Sequence, residues 1–167
     1  TRKQTYEASI LVIATGTQRR KLRVEGETEF LGRGVSYCAV CDGPFFRNKA
    51  VAVVGNSEEA ATDALSLADL ASKVTLVSQD RTLEIEGTLL GRLKGRANVE
   101  FVKGKVTQII GEKVVGAVKI QDFDGSENER EVKGVFIALG GVPMTAIVQK
   151  AGIKTDRNGC LMVDRHQ

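Results

Sequence analysis

The stretch AVAVVGNSEEAATDALSLADLASKVTLVS, residues 50–78, sets the architecture. Its first six residues are apolar, rich in valine, and stop at Gly55, which reads as a strand buried on both faces. Residues 56–72 have helical spacing, with Ala61, Ala64, Leu65 and Ala68 three or four apart on one apolar face. Asn56 or Ser57 suits the N-cap, and Glu58 and Glu59 fall in the first turn, where negative charge favours the helix dipole. Residues 73–78, KVTLVS, form a second apolar strand. Strand, helix and strand in this order predict a right-handed crossover in a parallel sheet.

The pattern extends in both directions. Residues 83–95 suggest a further helix weakened by glycines, and NVEFVKG, 98–104, a further strand. KVTQIIG, KVVGAVKIQDFDG and NEREVKG then alternate apolar and polar residues, which predicts antiparallel strands with a hairpin turn at Asp124-Gly125. VFIALGG, 135–141, returns to a buried strand, 143–152 predicts a short helix with Pro143 near its start, and 159–167 contains a short strand. On the N-terminal side, ASILVIATG predicts a buried strand over 8–14, and the glycine-punctuated residues 16–34 read as a linker or domain crossing. The expected fold is α/β: a Rossmann-like three-layer domain with a parallel sheet plus an antiparallel β-meander.

Composition excludes several classes. Apolar residues make up 42% and charged residues 27% of the 167, as in ordinary globular proteins. A net charge of +3 with both signs interspersed gives no basic stripe for nucleic acid. No run approaches the ~18 apolar residues of a membrane span. The first residues lack a signal-peptide pattern, which favours the cytoplasm.

The turn after residues 50–55 is where a dinucleotide would bind, on a G-x-G-x-x-G/A fingerprint. Gly55 and Ala60 fill its first and last positions, but Ser57 replaces the middle glycine, and its Cβ stands where the backbone approaches a pyrophosphate. Glu58 and Glu59 put anions where a phosphate belongs. At the end of the next strand stand Ser78, Gln79, Asp80, Arg81 and Glu84. Asp80 suits a ribose hydroxyl, while Asp80 and Glu84 oppose a 2′-phosphate that only Arg81 favours. Asn56, Gln79 and Gly140 complete this degenerate candidate site.

VSYCAVCDGPFF, residues 35–46, places Cys38 and Cys41 at the spacing of a redox dithiol, followed by Asp42 as a proton donor or acceptor for thiol exchange. Phe45 and Phe46 shield the site or form a docking face. Two other readings compete: packed thiols in a non-catalytic Rossmann-like binding module, or half of a metal site. Metal needs Cys160 and His166, whose spacing does not match a zinc finger, so no metal is expected.

Residues 32–55, GRGVSYCAVCDGPFFRNKAVAVVG, resemble the low-molecular-weight thioredoxin reductases and their flavoprotein relatives. In that family a Cys-x-x-Cys-Asp segment leads into the first strand of the pyridine-nucleotide domain. ILVIATG, 10–16, resembles the family's Ala-Thr-Gly turn on the flavin side, with Thr15 and Gly16, and GVFIALGGVPMT, 134–145, the matching second crossing. The resemblance implies that Cys38 and Cys41 form the active disulfide, reduced by FAD and reducing a thioredoxin-like protein, with Asp42 as the acid. It implies residues 1–19 and 142–167 as incomplete flavin-domain segments around a pyridine-nucleotide-type domain over 20–141. The chain then reads as a fragment, inactive alone, of a protein expected to be a homodimer. NADPH is the family's usual donor, but Ser57, Asp80 and Glu84 point instead to the relatives that use ferredoxin or a reduced deazaflavin.

Overall fold

The computed structural model describes residues 6–10, 12–81, 84–145, 148 and 152–165. In chain order the elements are β1 Thr17–Arg19, β2 Val35–Ser36, α1 Ala39–Asp42, β3 Ala50–Val54, α2 Glu58–Ala68, β4 Lys73–Ser78, α3 Gly87–Lys94, β5 Val99–Gly111, β6 Val115–Asp122, β7 Glu127–Glu131, β8 Gly134–Ile137 and β9 Gly141–Pro143. The chain forms two compact units, Thr1–Gln18 with Gly141–Gln167, and Arg19–Gly140.

The larger unit is one seven-stranded sheet in the order β2-β8-β3-β4-β5-β6-β7. The first five strands are parallel, from β2 through β8, β3 and β4 to the start of β5. The remaining pairs are antiparallel. Alternation along β3 explains how three layers share one sheet. Val51 and Val53 face α2 and α3, packing with Leu67, Leu76, Leu93 and Phe136. Ala52 and Val54 face the other way, with Val135 and Ile137, against Val106, Ile109, Val118 and Ile120 of the meander. Each fully buried valine or leucine contributes on the order of 1.5–3 kcal/mol to holding these layers together.

The strand expected at 98–104 and its successor are a single thirteen-residue strand, β5. Val99–Lys103 pair with β4 and Gly104–Gly111 with β6, so one strand serves both layers. The β6–β7 turn falls where Asp124-Gly125 predicts it, with Gly125 at φ 94° and its N–H donating to Asp122 O at 3.0 Å.

Of the two readings of 16–34, linker or domain crossing, the boundary between the two units does fall inside the segment, after Gln18, but the loose linker is corrected. Phe30 and Glu27 in this segment are only 2% and 3% exposed. The Glu27 carboxylate accepts the backbone N–H groups of Leu22 at 2.8 Å and Arg23 at 2.6 Å, and the Tyr37 hydroxyl. A buried carboxylate with three donors orders a stretch that hydropathy alone makes look loose.

In the smaller unit, β1 and β9 pair as a two-stranded ribbon. Thr15 Oγ1 donates to Met144 O at 2.8 Å, and Met144 N donates to Gly16 O at 3.0 Å. The buried strand expected over 8–14 is not found: residues 8–10 and 12–14 form no strand, and Ile10 and Val12 are 82% and 83% exposed. A parallel strand needs ladder partners, and none is present among the described residues. Within 159–167 the expected strand shrinks to an isolated bridge between Thr155 and Leu161. Half of the helix expected over 143–152 lies outside the described residues, and Pro143 closes β9 instead of opening a helix.

Candidate active site

Cys38 and Cys41 form a disulfide, with S–S 2.10 Å and Cα–Cα 5.3 Å. The chain leaves β2 at Ser36 and turns into α1, for which Cys38 is the N-cap in extended conformation. Its Sγ accepts the N–H of Cys41 at 3.2 Å. Cys38 is half-buried, whereas Cys41 and Val40 between them are exposed.

Asp42, the last residue of α1, is held by a side chain the sequence reading missed. Ser36 Oγ donates to Asp42 Oδ2 at 2.5 Å and accepts the N–H of Cys38 at 3.0 Å. Ser36 is 5% exposed, so this hydroxyl links the acid to the backbone of the first cysteine away from bulk water. The sequence signal was a serine two residues before the first cysteine, next to Val35 and its pairing with β8.

Behind the disulfide, burial and then the Glu27 carboxylate push the Tyr37 hydroxyl well above the ordinary tyrosine range. The proton therefore stays on Tyr37 and is shared with Glu27. Phe46 packs edge-on against Phe136, with ring centroids 5.2 Å apart, while Phe45 remains 73% exposed. Of the two phenylalanines, Phe46 packs into the core and Phe45 faces solvent.

The nucleotide-type residues gather at the carboxyl ends of β3, β4 and β8. This is the crevice at which β4 and β8 diverge to either side of β3, where open α/β sheets bind ligands. A Cβ on Gly55 would lie 2.2 Å from Ala138 O and 2.8 Å from Ala60 Cβ. Gly55 and Ala60 are therefore explained by close packing alone. Ser57 is the N-cap of α2 by backbone conformation, with no side-chain capping bond. Asn56 Nδ2 donates to Asp80 Oδ2 at 3.0 Å, and Ser78 Oγ to Asp80 O at 2.9 Å. Gly140 has φ 77° and faces Glu59, whose Oε2 would lie 3.9 Å from a Cβ there. Gln79 is half-buried at the end of β4.

The charges of this crevice are committed to the protein itself. Arg19 pairs with Glu59. Burial, and then the charge of Glu59, raise Asp63 one turn along α2 to about 6, against the pull of Arg19. Arg81, the one base foreseen for a phosphate, lies over the Phe123 ring at 5.0 Å and donates to Phe123 O at 3.3 Å. Asp80 and Glu84 are exposed.

Cys160 is an exposed free thiol, and His166 lies outside the described residues. Among the described residues no group of three or more His, Cys, Asp or Glu is placed to hold a metal ion, and no helix is long and apolar enough to cross a membrane.

The whole chain, residues 1–167, matches the family described as pyridine nucleotide-disulphide oxidoreductase. The chain belongs to this family. It is 42% identical to a thioredoxin reductase of Listeria monocytogenes over 164 residues, covering 96% of this chain and 51% of that protein. The crystal structure of T. acidophilum thioredoxin reductase superimposes with a TM-score of 0.85 at 35% identity, covering 99% of this chain and 55% of that one. A ferredoxin-flavin thioredoxin reductase from Clostridium acetobutylicum gives 0.58 at 33% identity, over 90% and 47%. The chain spans about half the length of the curated relatives it matches.

Proposed function

We propose that the protein to which this chain belongs is a flavin-linked disulfide reductase that passes electrons through Cys38 and Cys41 to a thioredoxin-like protein. The observation that carries this reading is the solvent-facing Cys38–Cys41 disulfide with Asp42 held beside it by Ser36. When bound, FAD would supply two electrons to the disulfide. Two protons complete the dithiol, and Asp42 is assigned the transfer of one of them at a cysteine sulfur. The dithiol then reduces a partner disulfide by thiolate attack and exchange. Residues 1–19 and 142–167 are assigned to the flavin-binding domain, with the turn at Thr15 and Gly16 on the flavin side, and 20–141 to the domain carrying the dithiol.

The reading favours a donor other than NADPH, a reduced ferredoxin or deazaflavin. It is supported by the Ser57 side chain, the carboxylates of Asp80 and Glu84, and the engagement of Arg81 with Phe123. Anaerobic titration of the full-length protein tests both parts by flavin absorbance. Bleaching by reduced ferredoxin or deazaflavin, with reoxidation by thioredoxin lost in Cys38→Ser and Cys41→Ser, is the expected result. Bleaching by low micromolar NADPH overturns the donor assignment. Undiminished thioredoxin reduction by either serine variant overturns the catalytic one.

A further inference from the structure

A recess of about 320 Å³ opens between α3 and the strands β4 and β5. Leu76, Leu90, Phe101 and Val102 supply its apolar wall. Leu76 belongs to the layer that packs against α2 and α3, and Phe101 is its register partner on β5, so the recess lies on the helix side of the sheet. It stands apart from the disulfide turn, which leaves β2, three strands away from β4 in the sheet order. The helix leaves it open because Gly87 and Gly91 take two of the eight positions of α3 and bring no side chain to the sheet. The Phe101 ring is left 36% exposed above a Leu76 that is 1% exposed.

Two cations line the same recess, Lys94 and Lys103. Lys94 follows Leu90 by one turn on the same face of α3, and Lys103 shares the Phe101 face of β5. Both lysines are exposed. The ion pairs among the described residues use Arg19, Lys73, Arg96 and Arg130, and neither of these two. No Asp or Glu lines the recess. Its other polar side chain, Ser78, is 2% exposed and gives its proton to Asp80 O at 2.9 Å. The wall therefore offers no free donor to a polar body, and burying such a body there would be costly. Lysine stems lie along apolar surface while their heads reach water, which puts positive charge at the rim of a hydrocarbon slot.

We propose that this recess binds a small amphipathic carboxylate: an apolar ring or short chain with one anionic head. The body covers Leu76 and Phe101, and the head meets Lys94 or Lys103 in a charge-assisted hydrogen bond. The volume is that of a small-ligand pocket. Binding here is independent of the exchange proposed for Cys38 and Cys41.

The chain contains no tryptophan, so Phe101→Trp places a single fluorescent reporter in the recess. The probes 4-phenylbutanoate, 4-phenylbutan-1-ol and 4-phenylbutylamine share one apolar body and differ only in the head group. The carboxylate is expected to shift the reporter emission at sub-millimolar concentration. The alcohol should bind about tenfold more weakly, the size of one hydrogen bond to a charged group, and the amine more weakly still. Adding Lys94→Gln and Lys103→Gln should erase the carboxylate's advantage and leave the alcohol's affinity unchanged. Saturation-transfer NMR on the unsubstituted chain should give the same order of affinities. Equal binding of the three probes, or a carboxylate preference that survives loss of both lysines, overturns the proposal. So does carboxylate binding to the unsubstituted chain that leaves the Phe101→Trp emission unmoved, or a carboxylate affinity weaker than about 5 mM.

Discussion

Ser36 and Asp42 meet at 2.5 Å, and the same serine oxygen receives the N–H of Cys38 at 3.0 Å. One hydroxyl thereby fixes both the acid and the start of the disulfide turn. Ser36→Ala removes the donor to Asp42 and takes its acceptor from the N–H of the half-buried Cys38, at a cost of about 1 kcal/mol. Its exchange rate with a small disulfide should fall about tenfold. Asp42→Asn, which removes the carboxylate proposed to transfer the proton, should fall by about 10²-fold, the lower end of general acid–base effects. Stopped-flow mixing of the reduced chain checks both.

Gly55→Ala is expected to destabilise the larger unit, because its Cβ would meet Ala138 O at 2.2 Å. The obstacle is backbone, which cannot swing aside, so the cost should be about 1–3 kcal/mol or more. Urea denaturation followed by circular dichroism measures it. The same position in a working dinucleotide site would show its effect in binding as well.

Tyr37→Phe takes one of three donors from the buried carboxylate of Glu27. The expected loss is about 1–3 kcal/mol at neutral pH. Tyr37 is raised in the folded state, so the unfolded chain ionises first and wild-type stability declines above its ordinary value of 10.0. Tyr37→Phe should lack that alkaline decline in denaturation curves.

Asp63 titrates near 6 in the folded protein against an ordinary 3.8. The folded state therefore binds more protons between those values, and stability falls as pH rises through that window. Asp63→Asn should remove this slope and gain on the order of 1 kcal/mol at pH 7, a figure reduced for its partial exposure. Denaturant midpoints at pH 4 and pH 7 give the comparison.

Titration calorimetry with 2′,5′-ADP should find no site tighter than about 1 mM, equivalent to about 4 kcal/mol. The exposed carboxylates of Asp80 and Glu84 oppose the 2′-phosphate, and Arg81 is drawn onto Phe123. Low micromolar binding would contradict the account of this crevice.

The elements most legible in the sequence are those whose order comes from local periodicity. The strand–helix–strand of residues 50–78 appears as β3, α2 and β4 because valine runs and alanine spacing need no distant information. The spacing of Cys38 and Cys41 made a dithiol one legible reading, and the family resemblance singled out the disulfide that the structure contains. Ser36 was not, since its role depends on a turn that returns Asp42 to it six residues later. Residues 16–34 looked like a linker or crossing because their order comes from one buried glutamate collecting the N–H groups of Leu22 and Arg23 and the Tyr37 hydroxyl, a feature hydropathy does not register. Residues 8–14 erred the opposite way: Ile10 and Val12 carry the composition of a buried strand, but composition does not report whether a neighbouring strand is present.

The thirteen residues of β5 belong to two layers at once, pairing with β4 through Lys103 and with β6 from Gly104. A strand shared in this way cannot detach from one neighbour without loosening its grip on the other. Opening of the parallel sheet and of the meander should therefore be one cooperative event. Amide hydrogens on both halves of β5 should exchange with deuterium in a single phase, a shared rhythm that two independently folding layers would not keep.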